Sequence, residues 1–316
     1  MRTFVTPIVV LSQCLEKEAC RYNGQVIRDD FVRELEPFVR FVTICPEVEI
    51  GLGVPRDPIR LVRIGEGRRL VQPSTGLDLT EAMDTFSARF LGSLERVDGF
   101  ILKNRSPSCG IKDVKIHADA AAAPPVGTGS GQFADAVLER FGGKAIEDEG
   151  RLRNPHVRDH FLTRLYTLAA FRELAERPAM GKLTEFHARN RLLFMAHNRT
   201  GMRALGALVA NPRRDPPATV FAAYEEGLGR VLARPARPGP WIDVAQHAFG
   251  FFSRQLTPRE KTFFDTLLQR YRAERQPLSS VLSVIAGRVA RFDEPWLEAQ
   301  SFFEPYPHPL MRLDHR

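Results

Sequence analysis

The first 150 residues alternate between short apolar runs and longer segments with helical spacing. Four runs have the length and composition of β-strands, "TPIVVLS", "FVTICPE", "GFILK" and "VKIHA". Three segments repeat apolar residues at intervals of three and four, as amphipathic helices do, "RDDFVRELEPFVR", "LTEAMDTFSARFLGSLERV" and "QFADAVLERFGGKAI". Thr80 is the predicted N-cap of the second segment, and "RLVRIGEGRRLVQP" predicts a small hairpin. This alternation predicts an α/β domain, with an open, mostly parallel sheet and flanking helices.

The rest of the chain has helical spacing only. The predicted helices are "NPHVRDHFLTRLYTLAAFRELAER", "KLTEFHARNRLLFMAHNRTGMRALGALVAN", "PPATVFAAYEEGLGRVLAR", "WIDVAQHAFGFFSRQL", "TPREKTFFDTLLQRYRAER" and "PLSSVLSVIAGRVARF". Thr257, Pro258 and Glu260 form a strong helix start, with an N-cap, a proline at the first position and an acid in the first turn. We therefore predict an all-α C-terminal domain over residues 151–316 behind an N-terminal α/β domain over residues 1–150.

Composition places the chain among ordinary globular proteins, with 43% hydrophobic and 26% charged residues. The sequence contains no run of 18 or more apolar residues, so it predicts no membrane-spanning helix. The first residues contain only a short, proline-interrupted apolar run and no small-residue cleavage site, unlike a secretory signal. We expect a cytoplasmic protein, in which cysteines stay reduced.

The formal net charge of +7 is unevenly distributed. Residues 1–150 hold 19 Lys and Arg against 22 Asp and Glu, whereas residues 151–316 hold 26 against 16. A net charge of +10 on the helical domain favours a polyanionic partner, with nucleic acid first among the candidates. An arginine-rich surface without any such partner is the alternative.

All four cysteines lie in the first 109 residues. Cys14, Cys45 and Cys109 each follow a predicted strand, and parallel strands bring their carboxyl ends to one edge of a sheet. Their spacing matches no zinc ribbon, zinc finger or ferredoxin motif, so the fold must assemble such a site. Thiolates select zinc, copper(I) or an iron–sulfur cluster, and Cys20 could close a four-ligand zinc shell. Buried cysteines without any metal are the alternative.

Reactive side chains accompany these thiols in the sequence. Glu47 follows Cys45 by two residues, and a carboxylate beside a metal site can act as a general acid or base. Ser106 and its neighbour Ser108 precede Cys109, and a hydroxyl there can orient a substrate atom or a water. A solvated loop acid and a proline-containing turn are the structural alternatives for Glu47 and Ser106.

Taken together and in this order, "LSQC", "CRYNG", "CPEVEIGLGVPR" and "LKNRSPSCGIKDVKI" resemble the TudS-like thiouracil desulfidase family over roughly residues 5–150. The basic helical half, especially "EFHARNRLLFMAHN", looks like an uncharacterised domain often fused behind that family's domain. The fused form resembles the RudS-type desulfidases, which remove sulfur from 4-thiouridine in tRNA. Two departures, Gln13 in "LSQC" and the low glycine content of "CPEVEIGLG", concern the loops around the predicted site.

The resemblance implies a 4Fe-4S cluster held by three cysteines, with one iron free to take the sulfur of the substrate. The cluster ligands carried over onto this chain are Cys14, Cys45 and Cys109, and Cys20 stays outside the ligand set. The catalytic acid falls on Glu47 and the family's serine on Ser106. We expect water activated by Glu47 to attack the thiocarbonyl carbon, without net redox change.

Charged residues in both halves are candidates for contacts with thiolated tRNA. Lys103 and Arg105 flank the Cys109 loop and are candidate substrate-binding residues. Candidate RNA contacts in the helical half are Arg189, Arg191, His197, Arg199 and Arg203. His187 is expected to be structural. The glycine-rich "PPVGTGSGQFADAV" lacks the features of a P-loop or dinucleotide site, so we expect no nucleotide cofactor. No membrane contact and no obligate protein partner is evident.

Two other functions remain open at this stage. The first is desulfuration of free thiouracil or another small thio-compound, with a helical domain that only oligomerises. The second is a non-enzyme, a zinc- or cluster-containing protein that binds RNA or senses redox state, which would use all four cysteines and would not need Glu47 or Ser106.

Overall fold

The structure, a computed structural model, describes residues 2–120 and 124–311, and the chain forms two compact units. One unit spans residues 5–169, and the other combines residues 2–4 with residues 170–311 of the described chain. The first unit extends past the predicted boundary near residue 150, because the following helix belongs to it for most of its length.

The strands of the first unit form two sheets. Within the described residues the strands are β1 (Ile8–Ser12), β2 (Arg40–Ile44), β3 (Arg60–Ile64), β4 (Gly67–Gln72), β5 (Leu77–Asp78), β6 (Gly99–Leu102), β7 (Val114–His117), β8 (Pro125–Gly129) and β9 (Ala145–Asp148). The first sheet has the order β2-β1-β6-β9, and all its pairs are parallel. This confirms the predicted α/β class.

The central strands of the first sheet are fully buried. Every residue of β1 and β6 is buried, as expected for strands with helices on both faces. The second sheet has the order β5-β4-β3-β7-β8 and is mixed. It contains the predicted hairpin, β3 with β4, and also the predicted "VKIHA" strand, which pairs parallel to β3 rather than joining the first sheet.

Helices cover the sheets of the first unit. They are α1 (Asp30–Leu35), α2 (Pro46–Glu49), α3 (Thr80–Ser93), α4 (Gln132–Phe141) and the greater part of α5 (Pro155–Ala175). Phe86 of α3 and Phe133 of α4 pack with Phe100 of β6 in the core. The predicted N-cap role of Thr80 is wrong, because Leu79 precedes the helix and the Thr80 hydroxyl accepts the Leu70 N–H instead.

The second unit is helical, as predicted. Its helices are α6 (Met180–Arg189), α7 (Arg191–Ala210), α8 (Pro217–Val231), α9 (Pro238–Gly250), α10 (Pro258–Arg272), α11 (Leu278–Phe292) and α12 (Pro295–Glu298). Its core joins α7, α9, α10 and α11 through residues such as Leu192, Phe249, Phe264 and Ile285. Thr257 and Glu260 form a complete capping box at the start of α10. None of the described helices has the length and apolar character needed to cross a membrane.

One predicted helix of this unit is two helices. The segment from "KLTEF" to "LVAN" divides at Asn190, whose buried side chain donates to the Phe186 carbonyl and accepts from the Ser301 hydroxyl. A second irregularity lies inside α7, where Asn198 has non-helical angles (φ −158°, ψ 95°). Its side-chain oxygen accepts the Gly201 N–H at 2.8 Å, so Asn198 caps the second segment of α7.

Candidate active site

The thiols gather at the carboxyl edge of the parallel sheet. Cys14 follows β1, Cys45 directly follows β2 and Cys109 follows β6. The Cys20 thiol forms side-chain hydrogen bonds with the thiols of both Cys14 and Cys45. The Cys109 thiol accepts from the Ser108 hydroxyl at 3.7 Å and is hydrogen-bonded to Ser12 at the end of β1. The fold therefore brings together the three predicted ligands and also Cys20.

The surroundings of these thiols favour their neutral form. Hydrogen bonding with Cys14 raises the pKa of Cys20 to about 11, with burial as a further cause. Burial raises the pKa of Cys109 to about 12. The hydrogen bond with Cys20, followed by burial, raises the pKa of Cys45 well above its ordinary value. All four thiols are free.

Thiolate donors of this kind bind soft metal ions or iron–sulfur clusters. In residues 2–120 and 124–311, no group of three His, Cys, Asp or Glu side chains is arranged to hold one metal ion. The ligands of a single zinc must all lie about 2.0–2.3 Å from that ion. In an iron–sulfur cluster each thiolate binds a different iron, so the ligands lie farther apart. Cys14, Cys45 and Cys109 follow three parallel strands, so their thiols approach this edge from three different loops.

A hydrogen-bonded acid lies beside the thiols. Glu47, in the short helix α2 after Cys45, places Oε2 2.7 Å from Nη2 and 2.9 Å from Nε of Arg56. Its Oε1 accepts from the Ser108 hydroxyl at 2.7 Å and from the Ser106 hydroxyl at 3.3 Å. The two serine hydroxyls lie 2.9 Å apart. The structure thus joins both predicted catalytic residues in one network beside the thiols.

Arg56 and Ser108 complete this network; the sequence offered the Ser108 hydroxyl only as a possible orienting group and assigned no role to Arg56. Arg56 is almost fully buried, with a side chain that is 4% exposed, and Nη1 donates to the carbonyls of Cys20 and Gly53. Its Nη2 lies 3.9 Å from the Cys45 sulfur. The sequence feature that could have identified Arg56 as a site residue is its place at the end of "CPEVEIGLGVPR". One side chain therefore connects the acid, the cysteine loops and a thiol.

Helix α4 fixes the loop that carries Cys109. The Gln132 N–H donates to the Pro107 carbonyl and the Ala134 N–H to the Ser108 carbonyl. At Gly131 an added Cβ would lie 2.5 Å from the Ser108 carbonyl oxygen, so the close approach requires glycine. The glycine-rich turn before α4 therefore supports the cysteine loop, and its first N–H groups are occupied.

The two predicted substrate-binding residues line a cavity of about 600 Å³ in the first unit. The Lys103 ammonium lies 2.6 Å from Glu149 and also donates to Asn104, so its charge is compensated. Arg105 has a left-handed backbone (φ 56°) and forms no ion pair within the described chain. The geometry therefore favours Arg105 over Lys103 for contact with an anionic ligand.

The predicted RNA-binding residues of the second unit separate into two groups. Arg191, Arg199 and Arg203 line one cavity. Arg189 lies outside it and pairs with Glu185 at 2.8 Å. His197 is hydrogen-bonded to the Arg234 carbonyl at 3.1 Å and contacts the Trp241 ring. Two histidines that the sequence did not select, His187 and His247, line the same cavity as the three arginines.

These features define a thiol-rich α/β protein with an acid–hydroxyl network at the carboxyl edge of its sheet. The model of the 2-thiouracil desulfurase family matches residues 9–149, and that of a protein family of unknown function, DUF1722, matches residues 191–307. The chain is 30% identical over 148 residues to the uncharacterized protein YbbK of Bacillus subtilis, covering 45% of this chain and 95% of YbbK. Through its first unit, the chain belongs to the 2-thiouracil desulfurase family.

Two further proteins are similar to this chain. The uncharacterized protein YbgA of Escherichia coli is 29% identical over 159 residues, which cover 50% of this chain and 94% of YbgA. Among solved structures, the 4Fe-4S-dependent thiouracil desulfidase TudS is 30% identical and covers 47% of this chain and 94% of its own, with a TM-score of 0.38.

Proposed function

We propose that this protein is an iron–sulfur-dependent desulfidase that removes sulfur from 4-thiouridine in tRNA, in the cytoplasm. Water replaces the thiocarbonyl sulfur, so uridine and sulfide are the products and no electron acceptor is needed. The observation that carries the proposal is the Glu47 carboxylate, hydrogen-bonded to Ser106 and Ser108 beside four gathered thiols, in a member of the 2-thiouracil desulfurase family.

Cys14, Cys45 and Cys109 are the proposed ligands of a 4Fe-4S cluster. They follow three different parallel strands, and the thiolate is the usual ligand of such clusters. When bound, the cluster supplies a Lewis-acidic iron for the thiocarbonyl sulfur of the substrate. Cys20 contacts two of the three ligands and can support their orientation without serving as a ligand itself.

The residues of the chain itself handle the proton and the orientation of the substrate. Glu47 accepts a proton from the attacking water through Oε1, the oxygen that faces the two serines. Arg56 holds Oε2 and so directs Oε1 towards the two serine hydroxyls and the reacting atoms. The Ser106 hydroxyl, which also accepts the Ser108 and Cys109 N–H groups, orients the water or the substrate oxygen.

The charge distribution supports tRNA as the substrate. The helical half has a net charge of +10 over residues 151–316, whereas residues 1–150 have −3. A polyanion with a single reactive base suits this division, because phosphate contacts position a nucleic acid without taking part in chemistry. The reactive base must leave its stack to reach the thiols.

Anaerobic purification and sulfide-release assays test the proposal. The purified protein should contain about four irons, the content of one 4Fe-4S cluster, and should release sulfide from thiolated tRNA. Alanine variants of Cys14, Cys45 and Cys109 should each lose the iron, whereas Cys20→Ala should retain it. Glu47→Gln should retain the iron and lose sulfide release.

Other outcomes identify the alternatives. Sulfide release from free thiouracil but not from tRNA would assign the enzyme to small thio-compounds. A zinc-containing protein that requires all four cysteines and releases no sulfide would contradict the desulfidase function and leave a non-enzyme.

A further inference from the structure

Exposed apolar side chains gather around the acid–hydroxyl network of the first unit. They form a surface here named the apolar rim, which consists of Tyr22, Val48 and Val54. Each of them lies within two residues of a member of the network or its cysteine loop, Cys20, Glu47 or Arg56. Apolar surface beside a few convergent polar groups is typical of a site for a small organic ligand.

The backbone of Tyr22 is attached to the arginine that holds the proposed base. The Arg56 N–H donates to the Tyr22 carbonyl at 2.8 Å. The guanidinium group of the same residue donates to the Glu47 carboxylate at 2.7 Å and to the Cys20 carbonyl at 3.0 Å. Tyr22 and Glu47 are therefore held by the two ends of one buried residue.

A tight turn fixes the backbone around Tyr22. The Gly24 N–H donates to the Arg21 carbonyl at 2.9 Å, and Gly24 has a left-handed backbone (φ 68°) that favours glycine. An added Cβ at Gly24 would lie 4.0 Å from Cγ1 of Val54, so the turn packs beside another member of the apolar rim. Tyr22 thus lies in a turn of defined geometry.

The Tyr22 side chain contributes little to the fold. Tyr22 is 42% exposed, although tyrosine rings usually cover apolar surface and bond their hydroxyl groups when they are structural. Within residues 2–120 and 124–311, its hydroxyl makes no hydrogen bond and its ring stacks on no other aromatic ring. The Arg21 guanidinium lies over the ring, with Cζ 5.4 Å from the ring centroid. A flat apolar surface is therefore available to a ligand.

Space for a ligand adjoins this ring. Arg21 also lines the cavity of about 600 Å³ that contains Arg105, and this volume lies within the range of sites for small organic ligands. Arg105 directly precedes Ser106, the proposed catalytic serine. Residues of the cavity therefore adjoin both the Tyr22 ring and the loop that carries the serine.

The chemistry of an aromatic ring suits one part of the proposed substrate. A thiolated pyrimidine is planar, and nucleobases stack on aromatic side chains through their π faces. The thiocarbonyl group lies at the edge of the pyrimidine, so stacking leaves it open to Glu47 and the serine hydroxyls. The Arg21 guanidinium adds a cation–π contact that holds the Tyr22 ring.

We propose that Tyr22 determines substrate specificity by stacking on the flat ring of a thiolated pyrimidine, whose thiocarbonyl edge then faces the Glu47 network. The identity of the base rests on the proposed function. A stacking residue selects planar, conjugated thio-heterocycles over saturated or aliphatic thio-compounds. Val48 and Val54 extend the apolar surface next to Tyr22.

Binding of uridine and of 5,6-dihydrouridine to the full-length protein tests this role without any chemistry. The two nucleosides carry the same carbonyl and N–H groups, but only uridine has a planar, conjugated ring. The wild type should bind uridine more tightly, on the order of tenfold, because stacking depends on a flat ring. Isothermal titration calorimetry measures each Kd.

Three variants of Tyr22 separate stacking from simple apolar contact. Tyr22→Phe should keep the preference for uridine, whereas Tyr22→Ala and Tyr22→Leu should bind both nucleosides with nearly equal Kd. Leucine keeps an apolar side chain in the turn, so its variant still offers contact without an aromatic face. A merely structural role for Tyr22 would weaken the binding of both nucleosides equally and leave the preference unchanged.

Phe263→Ala is the matched control, because it removes an exposed aromatic side chain from α10 of the other unit. It should keep the wild-type preference for uridine. Thermal unfolding of each variant identifies any loss of the fold. The proposal would be overturned by a wild type that binds no uridine or shows no preference, or by a wild-type preference in Tyr22→Leu.

The two proposals fail in different ways. Sulfide release from thiolated tRNA, together with a wild-type preference for uridine in Tyr22→Leu, would contradict the stacking role but not the desulfidase. A preference for uridine that depends on Tyr22, in a protein that releases no sulfide, would contradict the desulfidase but support the stacking role.

Discussion

Arg56 and Glu47 form a nearly buried ion pair at the centre of the acid–hydroxyl network, with Nη2 2.7 Å and Nε 2.9 Å from the same carboxylate oxygen. Both side chains are largely shielded from solvent, 4% and 13% exposed. This pairing commits Oε2 to the arginine and directs Oε1 towards Ser106 and Ser108. The orientation of the proposed base is therefore set by an arginine that is nine residues away in the sequence.

Replacement of Arg56 tests this positioning role. In Arg56→Ala the Glu47 carboxylate loses its two donors, and the carbonyls of Cys20 and Gly53 lose theirs. We expect kcat for sulfide release to fall on the order of 10²-fold, as is typical when a general base loses its orientation. Arg56→Lys should recover only part of the activity, because an ammonium cannot donate in a fork.

The control for Arg56 is Arg63→Ala, which removes an exposed arginine of β3 with the same change in net charge. Iron content, measured in parallel, separates positioning from cluster loss. Wild-type kcat in Arg56→Ala with full iron content would contradict the positioning role.

The two serines should contribute unequally. The Ser108 hydroxyl is the closer donor to Glu47 and is buried, whereas the Ser106 oxygen also accepts the backbone N–H groups of Ser108 and Cys109. We therefore expect Ser106→Ala to lower both kcat and thermal stability, since it removes loop-closing hydrogen bonds worth about 0.5–1.5 kcal/mol each. Ser108→Ala should lower kcat with a smaller effect on stability.

Sulfide-release kinetics and thermal unfolding of both serine variants provide the comparison. The solvent-exposed Ser93→Ala variant in α3 is the control. Identical effects of Ser106→Ala and Ser108→Ala on both quantities would refute the division of roles.

The close contact at Gly131 predicts a stability effect. An alanine there would place its Cβ 2.5 Å from the Ser108 carbonyl oxygen, so α4 or the Cys109 loop must move. Such overpacking costs about 1–3 kcal/mol of the free energy of unfolding. Chemical denaturation of Gly131→Ala measures this loss, and iron content reports any displacement of Cys109.

Gly143→Ala is the matched control for Gly131, because nothing lies within 4 Å of an added Cβ at that position. It should leave both the free energy of unfolding and the iron content close to wild type. A Gly131→Ala protein as stable as Gly143→Ala would contradict the close contact.

His187 should make the protein sensitive to mild acid. Its pKa in the folded protein is lowered from 6.5 by burial and by Arg191, so below pH 6.5 the unfolded chain binds more protons. The free energy of unfolding therefore falls as the pH drops through this range, by at most about 1.4 kcal/mol per pH unit for one proton. His187→Gln should show a smaller loss between pH about 7.5 and about 5.5.

Urea unfolding of both proteins across that pH range measures the difference. The exposed His247→Gln variant controls for removal of any histidine of the unit. If the free energy of unfolding depends on pH in the same way for wild type and His187→Gln, the pKa of His187 is not lowered by folding.

The sequence was sufficient for the thiol site because the site depends on strand order. Short apolar strands identified the sheet, and the parallel arrangement placed Cys14, Cys45 and Cys109 at one edge. The role of Arg56 was hidden, because an isolated arginine in a loop gives no periodic signal. Cys20 was also difficult to place, since a chain that turns back between two strands leaves no regular pattern.

The helical unit shows which features the pattern of apolar residues could not predict. Apolar periodicity continues through Asn190 and Asn198, so the pattern predicted one helix where tertiary hydrogen bonds produce a division and an interruption. Local capping chemistry was more reliable, and the predicted start of α10 at Thr257 is confirmed. His247 lines the same cavity as Arg191 and Arg199 but lies on a different helix, α9, and no local pattern reveals this.

The continuity of α5 determines where this protein can be divided for separate study. Its Phe161, Leu162 and Leu165 are buried, and the Tyr166 hydroxyl donates to the Phe38 carbonyl of the first unit. A fragment ending at residue 150 would lose these side chains and expose the apolar surface that they cover, which favours aggregation. A fragment that continues to Ala169, where the first unit ends, retains these side chains and is the better candidate for expression without the helical unit.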